Sequence, residues 1–465
     1  MDVPWTSGPA DIAGTLDVLE AWMGGQAAQQ ELPGLSVGVV IGDELVWQRG
    51  FGFSDTQART PADGDTIYRI ASISKTFTST AVLQLRDQGK LRLDDPVHEY
   101  LPWFCLDRTS DDGLPVTLRH LLTHTAGLPR EAAFPYWSDF QFPTREQLVE
   151  TLPTQSAAFA PERRFKYSNL GLALAGEVLA AVSGEPYDQY VKRHVLDPLG
   201  MSSTTVRLPA EHLSRLATGY SRKLPGQPRQ KCPFTDAAAI APAANLSSTV
   251  TDLARFVSLQ FRHEPLGGRQ ILRGSTLREM HRPHWVFADW EGGRGLGFVV
   301  YRRNGRTLAG HGGHVAGYRT QILFDPLARV GAIVLINCSG ADPLYFAGRA
   351  LDWLIPSVER SRPEPSAAPF DATWKPYLGR YRNAWADVQV IRQGDRLVLI
   401  GPTDDDPIGS AYSLVPQGDG AFLMEGDDGT GCVGELARFE LDPDGAVERL
   451  QIGVNYTYPV RDWNV

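Results

Sequence analysis

Apolar side chains at Ile12, Leu16, Leu19 and Trp22 keep the spacing of one helical face, so residues 11–30 are predicted to form an amphipathic helix. The period then changes. "LSVGVVIGDELVWQRGFG" reads as a strand, a Gly-Asp turn and a second strand. Residues 72–88 read as a helix stopped at Gly89, and the stretch "TFTSTAVLQL" carries no charge on any face, which predicts burial all round. "NLGLALAGEVLAAVSG" is a further helical run with its stop at Gly184, and "STVTDLARFVSLQF" opens with a Ser/Thr cap and an aspartate in its first turn. "RTLAGHGGHVAGYRTQILFDPLARVGAIVLINCS" alternates strands with tight turns, one of them at Asp325-Pro326, as an antiparallel meander does.

Strands therefore stand at both ends of the first 350 or so residues, with helices between. That distribution predicts an α+β fold, an antiparallel sheet flanked by helices. Residues 356–369, "PSVERSRPEPSAAP", have the composition of a linker. Beyond them turn signals recur at "QGD", "PTDDDP", "PQGDG", "GDDGTG" and "DPDG", with short alternating runs between, the pattern of a small all-β barrel. The expected division is a domain over 1–355, a linker over 356–369 and a barrel over 370–465.

Composition narrows the function. The chain has 465 residues, too many for one core at ~100–200 residues per domain. Its net charge of −9, most of it beyond the linker, leaves no basic stripe for phosphates, so no nucleic-acid partner is expected. The four cysteines are widely spaced and form no CxxC, which points to reduced thiols. No basic and apolar leader opens the chain, and no apolar run reaches the roughly 18 residues of a spanning helix. The expectation is a cytoplasmic protein without a membrane span, periplasmic or secreted if a leader was removed.

The chemistry starts at "IASISKTFTS". Of seven lysines against 38 arginines, only Lys75 has a serine three positions before it. In a helix this spacing puts Ser72 and Lys75 on one face. A helix start favours developing negative charge, and a shielded lysine loses affinity for its proton, so the pair can be a nucleophile with its base. A capped helix start with a solvated lysine would look the same. "RFKYSNLGLALAG" adds Tyr167 and Asn169 just before a helix, though Tyr-x-Asn recurs at Tyr381 and Asn383 in the barrel. "GHGGHVAGYRTQILFD" puts His311, Gly312 and Gly313 at a strand end, where glycines let a ligand lie against backbone, or simply make a hairpin.

In this order the three stretches resemble the serine β-lactamase and penicillin-binding-protein superfamily, above all its class C β-lactamase-like branch with esterases and D-aminopeptidase-like peptidases. "VTLRHLLTHTAGLP", "LDPLGMSST" and "STVTDLARF" fit the same branch. The resemblance covers about residues 10–350. It implies that Ser72 is acylated, that Lys75 and Tyr167 move the protons, and that Asn169 bonds Lys75 and the substrate. It further implies that His311 orients Tyr167 or meets the substrate's polar end, and that the N–H groups of Ser72 and His314 form the oxyanion hole beside Gly312 and Gly313. No metal or other cofactor is implied. The C-terminal part resembles, through "YLGRYRN" and its turn spacing, the lipocalin-like barrel of some relatives.

Departures matter. Where the family often has lysine, His311 is mostly neutral at pH 7, which leaves recognition of a substrate carboxylate in doubt. Pro161-Glu162 and Ala243-Ala244-Asn245 replace glycines usual in the family. The expected activity is a serine hydrolase cleaving esters or small peptide and amide bonds, D-configured residues included. β-Lactamase or D,D-carboxypeptidase activity, and a receptor acylated without turnover, are the alternatives. A metal hydrolase built on His120 and His124 lacks the glutamate of HExxH, and "HGGH" lacks the Lys-Ser/Thr of a phosphate loop. The expected partner is a small-molecule substrate, with a homo-oligomer an open possibility.

Overall fold

The computed structural model describes residues 11–107, 113–263, 270–361, 370–426, 429 and 431–460. The chain divides into two compact units, Met1–Ser361 and Arg362–Val465.

The strands of the first unit are β1 (Gly34–Ile41), β2 (Glu44–Asp55), β3 (Thr60–Pro61), β4 (Tyr68–Arg69), β5 (Ser247–Ser248), β6 (Trp285–Val286), β7 (Gly292–Arg294), β8 (Val299–Arg303), β9 (Arg306–Val315), β10 (Tyr318–Asp325) and β11 (Val330–Ile336). Nine of them make one antiparallel sheet in the order β3-β2-β1-β11-β10-β9-β8-β7-β6, while β4 and β5 pair separately. Its seam joins the two ends of the unit, with Leu35 paired to Ile336 and Ile41 to Val330. Side chains alternate between two cores. Ile322, Phe324, Ile333 and Leu335 face the helices Ser74–Asp87, Asn169–Ser183 and Val250–Leu259. Leu323, Ala332, Val334 and Ile336 face the helices Ile12–Gln29 and Pro343–Ser361. With both faces covered, β11 is apolar at every position and shows no alternation. The fold is the α+β arrangement expected from the pattern.

The helix Ser74–Asp87 is buried from Ser74 to Leu85. Two of its threonines tolerate this because Thr76 donates to Ile73 O at 2.7 Å and Thr80 to Thr76 O at 2.8 Å, while Ser79 Oγ is buried without a hydrogen-bond partner. The helix Asn169–Ser183 starts on the Ser168 side chain, which accepts from the Gly171 N–H at 2.9 Å, and stops at left-handed Gly184. Thr249 caps Val250–Leu259 by accepting from the Asp252 N–H at 3.1 Å. Thr249→Ala is expected to lower stability by about 1 kcal/mol, read as a lower urea midpoint with an unchanged slope.

One boundary shifts. The helix Pro343–Ser361 runs through Pro356, where composition places the start of the linker. Ser357 and Val358 are buried in the core, and Ser357 Oγ meets Thr15 Oγ1 at 2.7 Å, so packing overrides the Pro/Ser signal for another turn. Residues 362–369 lie outside the described residues.

The second unit holds a closed barrel of eight antiparallel strands in chain order. Inward residues such as Val390, Leu397, Phe422, Phe439 and Leu450 fill it, and Tyr377 stacks on Phe439 at 4.3 Å. The second Tyr-x-Asn is spent on this scaffold. Tyr381 donates to Tyr377 O at 2.7 Å, and Asn383 Oδ1 accepts from the Trp385 N–H at 2.8 Å.

Candidate active site

Ser72 sits in the 3-10 turn Ala71–Ile73, immediately before the buried helix rather than within its first α-turn. Ala71 ahead of it has φ of +48°, a left-handed conformation that a non-glycine residue holds only when its surroundings fix it. They do. Ile70 N–H donates to Leu246 O at 2.9 Å, and Ile70 O accepts from Thr320 Oγ1 at 3.1 Å.

Lys75 lies one turn along, fully buried. Its Nζ reaches Ser72 Oγ at 3.1 Å, Asn169 Oδ1 at 2.7 Å and Ala243 O at 2.8 Å. Burial lowers its pKa from the ordinary value, against an opposing pull from Tyr167 and Glu131. Tyr167 O–H donates to the same Ser72 Oγ at 2.9 Å. Burial pushes the phenol's pKa up, but Lys75, Ser72 and Arg294 outweigh it and hold it below the usual phenol value. Ser72 thus has two titratable neighbours, each biased towards its basic form.

The ring stacked on Tyr167 is His124, at 4.3 Å and 29°. Burial, then the charges of Arg294 and Lys75, keep His124 neutral. Its Nδ1 accepts from the Ser168 N–H at 3.1 Å, which leaves the proton on Nε2. Asn169 is fixed from behind, its Nδ2 donating to both Glu131 oxygens at 2.8 and 3.0 Å. Arg130 pairs with Glu131 at 3.1 Å.

The strand β9 passes in front of the serine. A Cβ on Gly313 would lie 2.2 Å from Ile70 O and 2.2 Å from Thr320 Oγ1, so only glycine allows this approach. His311 is buried, with Nδ1 at 2.7 Å from Gly312 O and Nε2 without a partner. Burial and then the charges of Arg294 and Lys75 hold it well below the ordinary imidazole value. Its ring is 6.5 Å from that of Tyr167, farther than the stacked His124. Ser72, Tyr167, Arg130, His311 and Gly312 line a cavity of about 510 Å³, together with His314.

A family model described as Beta-lactamase matches residues 19–355. The chain belongs to the beta-lactamase family. It is 28% identical to Beta-lactamase-like protein 2 of Dictyostelium discoideum over 79% of this chain and 71% of that protein. It is 32% identical to the D-alanyl-D-alanine-carboxypeptidase/endopeptidase AmpH of Escherichia coli K12 over 71% of this chain and 86% of that one. Among solved structures it is similar to the octameric penicillin-binding protein homologue from Pyrococcus abyssi, with a TM-score of 0.62 and 25% identity over 95% of this chain and 99% of the other.

In this beta-lactamase family member the structure brings Ser72, Lys75, Tyr167 and Asn169 into one hydrogen-bonded group and sets His311, Gly312, Gly313 and His314 along the strand beside it. The histidines weighed as metal ligands have other tasks. His120 Nδ1 accepts from the Thr117 N–H at 3.2 Å, and its Nε2 lies 3.2 Å from Glu162. Among the described residues no group of three His, Cys, Asp or Glu side chains could hold a metal ion. No described helix is long and apolar enough to cross a membrane. Sequence reasoning missed Arg130, Glu131 and Arg294. The first two end the uncharged run "THTAGLP" as an adjacent charged pair, which was a usable signal. Arg294 has no such signal, since only the register through β7, β8 and β9 brings it to the site.

Proposed function

We propose that this chain is a serine hydrolase that forms an acyl-enzyme on Ser72 and cleaves esters or small amide and peptide bonds. The observation that carries this is the double engagement of Ser72 Oγ, by Lys75 at 3.1 Å and Tyr167 at 2.9 Å. One of these basic groups takes the hydroxyl proton as Oγ attacks the substrate carbonyl. The oxyanion is received by the N–H groups of Ser72 and His314, donors of a kind worth roughly 3 kcal/mol each in a transition state. Tyr167, which lines the cavity, returns the proton to the leaving group, and the same pair then activates water for deacylation. Asn169, held by Glu131, keeps Lys75 aimed at Ser72.

The alternative of D,D-carboxypeptidase or β-lactamase activity is favoured by the 32% identity to a protein named for the first of these. The test compares kcat/KM on p-nitrophenyl butyrate and D-alanine p-nitroanilide, with Ser72→Ala in parallel. Loss of roughly 10⁴-fold or more in the variant supports the assignment. Full activity of Ser72→Ala ends it, and a stable adduct without turnover makes the protein an acylated receptor.

A further inference from the structure

Arg294 ends β7 in a position unusual for a cation. Its Cζ lies 4.8 Å from the ring centre of Phe165, 5.5 Å from that of Tyr167 and 5.8 Å from that of Phe287. Phe165 and Phe287 meet edge to face at 5.5 Å, so the guanidinium is caged by three rings. Its Nε is buried without a hydrogen-bond partner. Burial draws its pKa down, and the groups that oppose this are the phenols of Tyr167 and Tyr301, with no carboxylate among them. A desolvated cation without a counter-ion is unfavourable unless something electron-rich compensates it. An aromatic face does so in part, and a phenolate does so far more.

The other groups around Tyr167 define what Arg294 adds. Lys75 Nζ is 4.8 Å from the ring centre, but it exchanges protons with Ser72 in the proposed reaction and cannot be a constant charge. Arg130 Cζ is 5.0 Å away, yet its side chain is 59% exposed and already paired with Glu131, so solvent and that carboxylate screen it. Glu131 itself turns to Asn169 and Arg130. His124 and His311 are neutral. Arg294 is half-buried and lines the cavity with Arg319 and Asp342, neither of which lowers the phenol's pKa, so the lasting charge packed on the ring is Arg294.

We propose that Arg294 is a positioning residue for Tyr167, its caged guanidinium holding the ring and favouring the phenolate, and so supplying the permanent charge that His311 does not. The proposal rests on the reading of Tyr167 as a proton carrier at Ser72. It makes Arg294 a determinant of the working pH of the enzyme.

The test uses Arg294→Met and the conservative Arg294→Lys, each with two readouts. The first follows tyrosine Cζ resonances of ¹³C-labelled full-length protein against pH in the Ser72→Ala background, with Tyr167→Phe identifying the signal. Tyr167 is expected to deprotonate at least one pH unit higher in Arg294→Met, with Arg294→Lys in between. The second is the pH profile of p-nitrophenyl butyrate hydrolysis. A one-unit shift leaves about a tenth of the phenolate below the limb, so kcat at pH 7 falls about tenfold and recovers in more alkaline buffer, with KM little changed. An unmoved Tyr167 signal overturns the proposal, as does a raised KM with the pH limb in place, which would make Arg294 a substrate contact. If Arg294→Met does not fold, Arg294→Lys alone decides, since a lysine ammonium sits differently on the cage and must still shift the signal. Should the Tyr167 signal respond to Arg294 while Ser72→Ala stays active, the electrostatic coupling stands and the acyl-enzyme reading falls.

Discussion

Lys75→Met is expected to lower kcat on p-nitrophenyl butyrate by about 10³- to 10⁴-fold, the upper range for a positioned base, and to leave KM nearly unchanged. The asymmetry follows from place. Lys75 is buried behind Ser72 and does not line the cavity, so the substrate does not meet it. Methionine fills a similar volume but leaves Asn169 Oδ1 and Ala243 O without their donor. Lys75→Arg separates charge from basicity, because a guanidinium stays protonated and should lose as much activity. The pH dependence has a definite sign. Burial holds the Lys75 pKa below the unfolded value, so between the two values the unfolded chain binds the extra proton. Stability therefore rises with pH across that window, and this part of the slope vanishes in Lys75→Met. Denaturation midpoints measured from pH 7 to 10 in both proteins check it. A Lys75→Met enzyme with normal kcat would remove the lysine from the mechanism.

Gly313→Ala is expected to cost about 1–3 kcal/mol of stability and roughly 10²-fold in kcat/KM. The added methyl would lie 2.2 Å from Ile70 O and 2.2 Å from Thr320 Oγ1, between the two partners of the hydrogen bond that clamps the serine turn. Backbone cannot swing aside as a side chain can, so either β9 retreats or the turn carrying Ser72 shifts. Gly312→Ala is the control. Its methyl would meet Gln321 Oε1 at 2.8 Å, the far end of a flexible side chain, and should be milder in both measurements. Equal effects of the two substitutions would mean that the contact with Ile70 does not set the position of Ser72.

The elements were legible where local chemistry and tertiary demand agree. The Thr249 cap, the Gly184 stop and the uncharged helix after Ser72 all fall where the pattern puts them, because each satisfies its own backbone or buries a whole surface. Ser72, Lys75, Tyr167 and Asn169 could be singled out by spacing and by family likeness. The end of Pro343–Ser361 could not, since Thr15 and Ser357 meet from opposite ends of the unit. Nor could the partner ring of Tyr167. The family likeness pointed to His311, but the ring stacked on Tyr167 is His124, brought there by its left-handed turn, with φ of +60°, beside the capped helix start at Ser168. Arg294 reaches Tyr167 through two strand registers, which no local pattern encodes.

The seam of the sheet has a consequence for the birth of the molecule. Leu35 in β1 pairs with Ile336 in β11, so one side of the N-terminal hairpin has no partner until nearly the whole first unit has been made. At ~5–20 residues per second a ribosome takes on the order of 15–60 s to supply it. Through that interval an apolar strand edge stays open to other chains, the situation in which nascent proteins depend on chaperones or aggregate. The serine turn, clamped between Leu246 and Thr320, cannot be set before Thr320 of β10 has been made. The clamp on the serine turn is therefore completed only late in synthesis, with the strands that build the middle of the sheet.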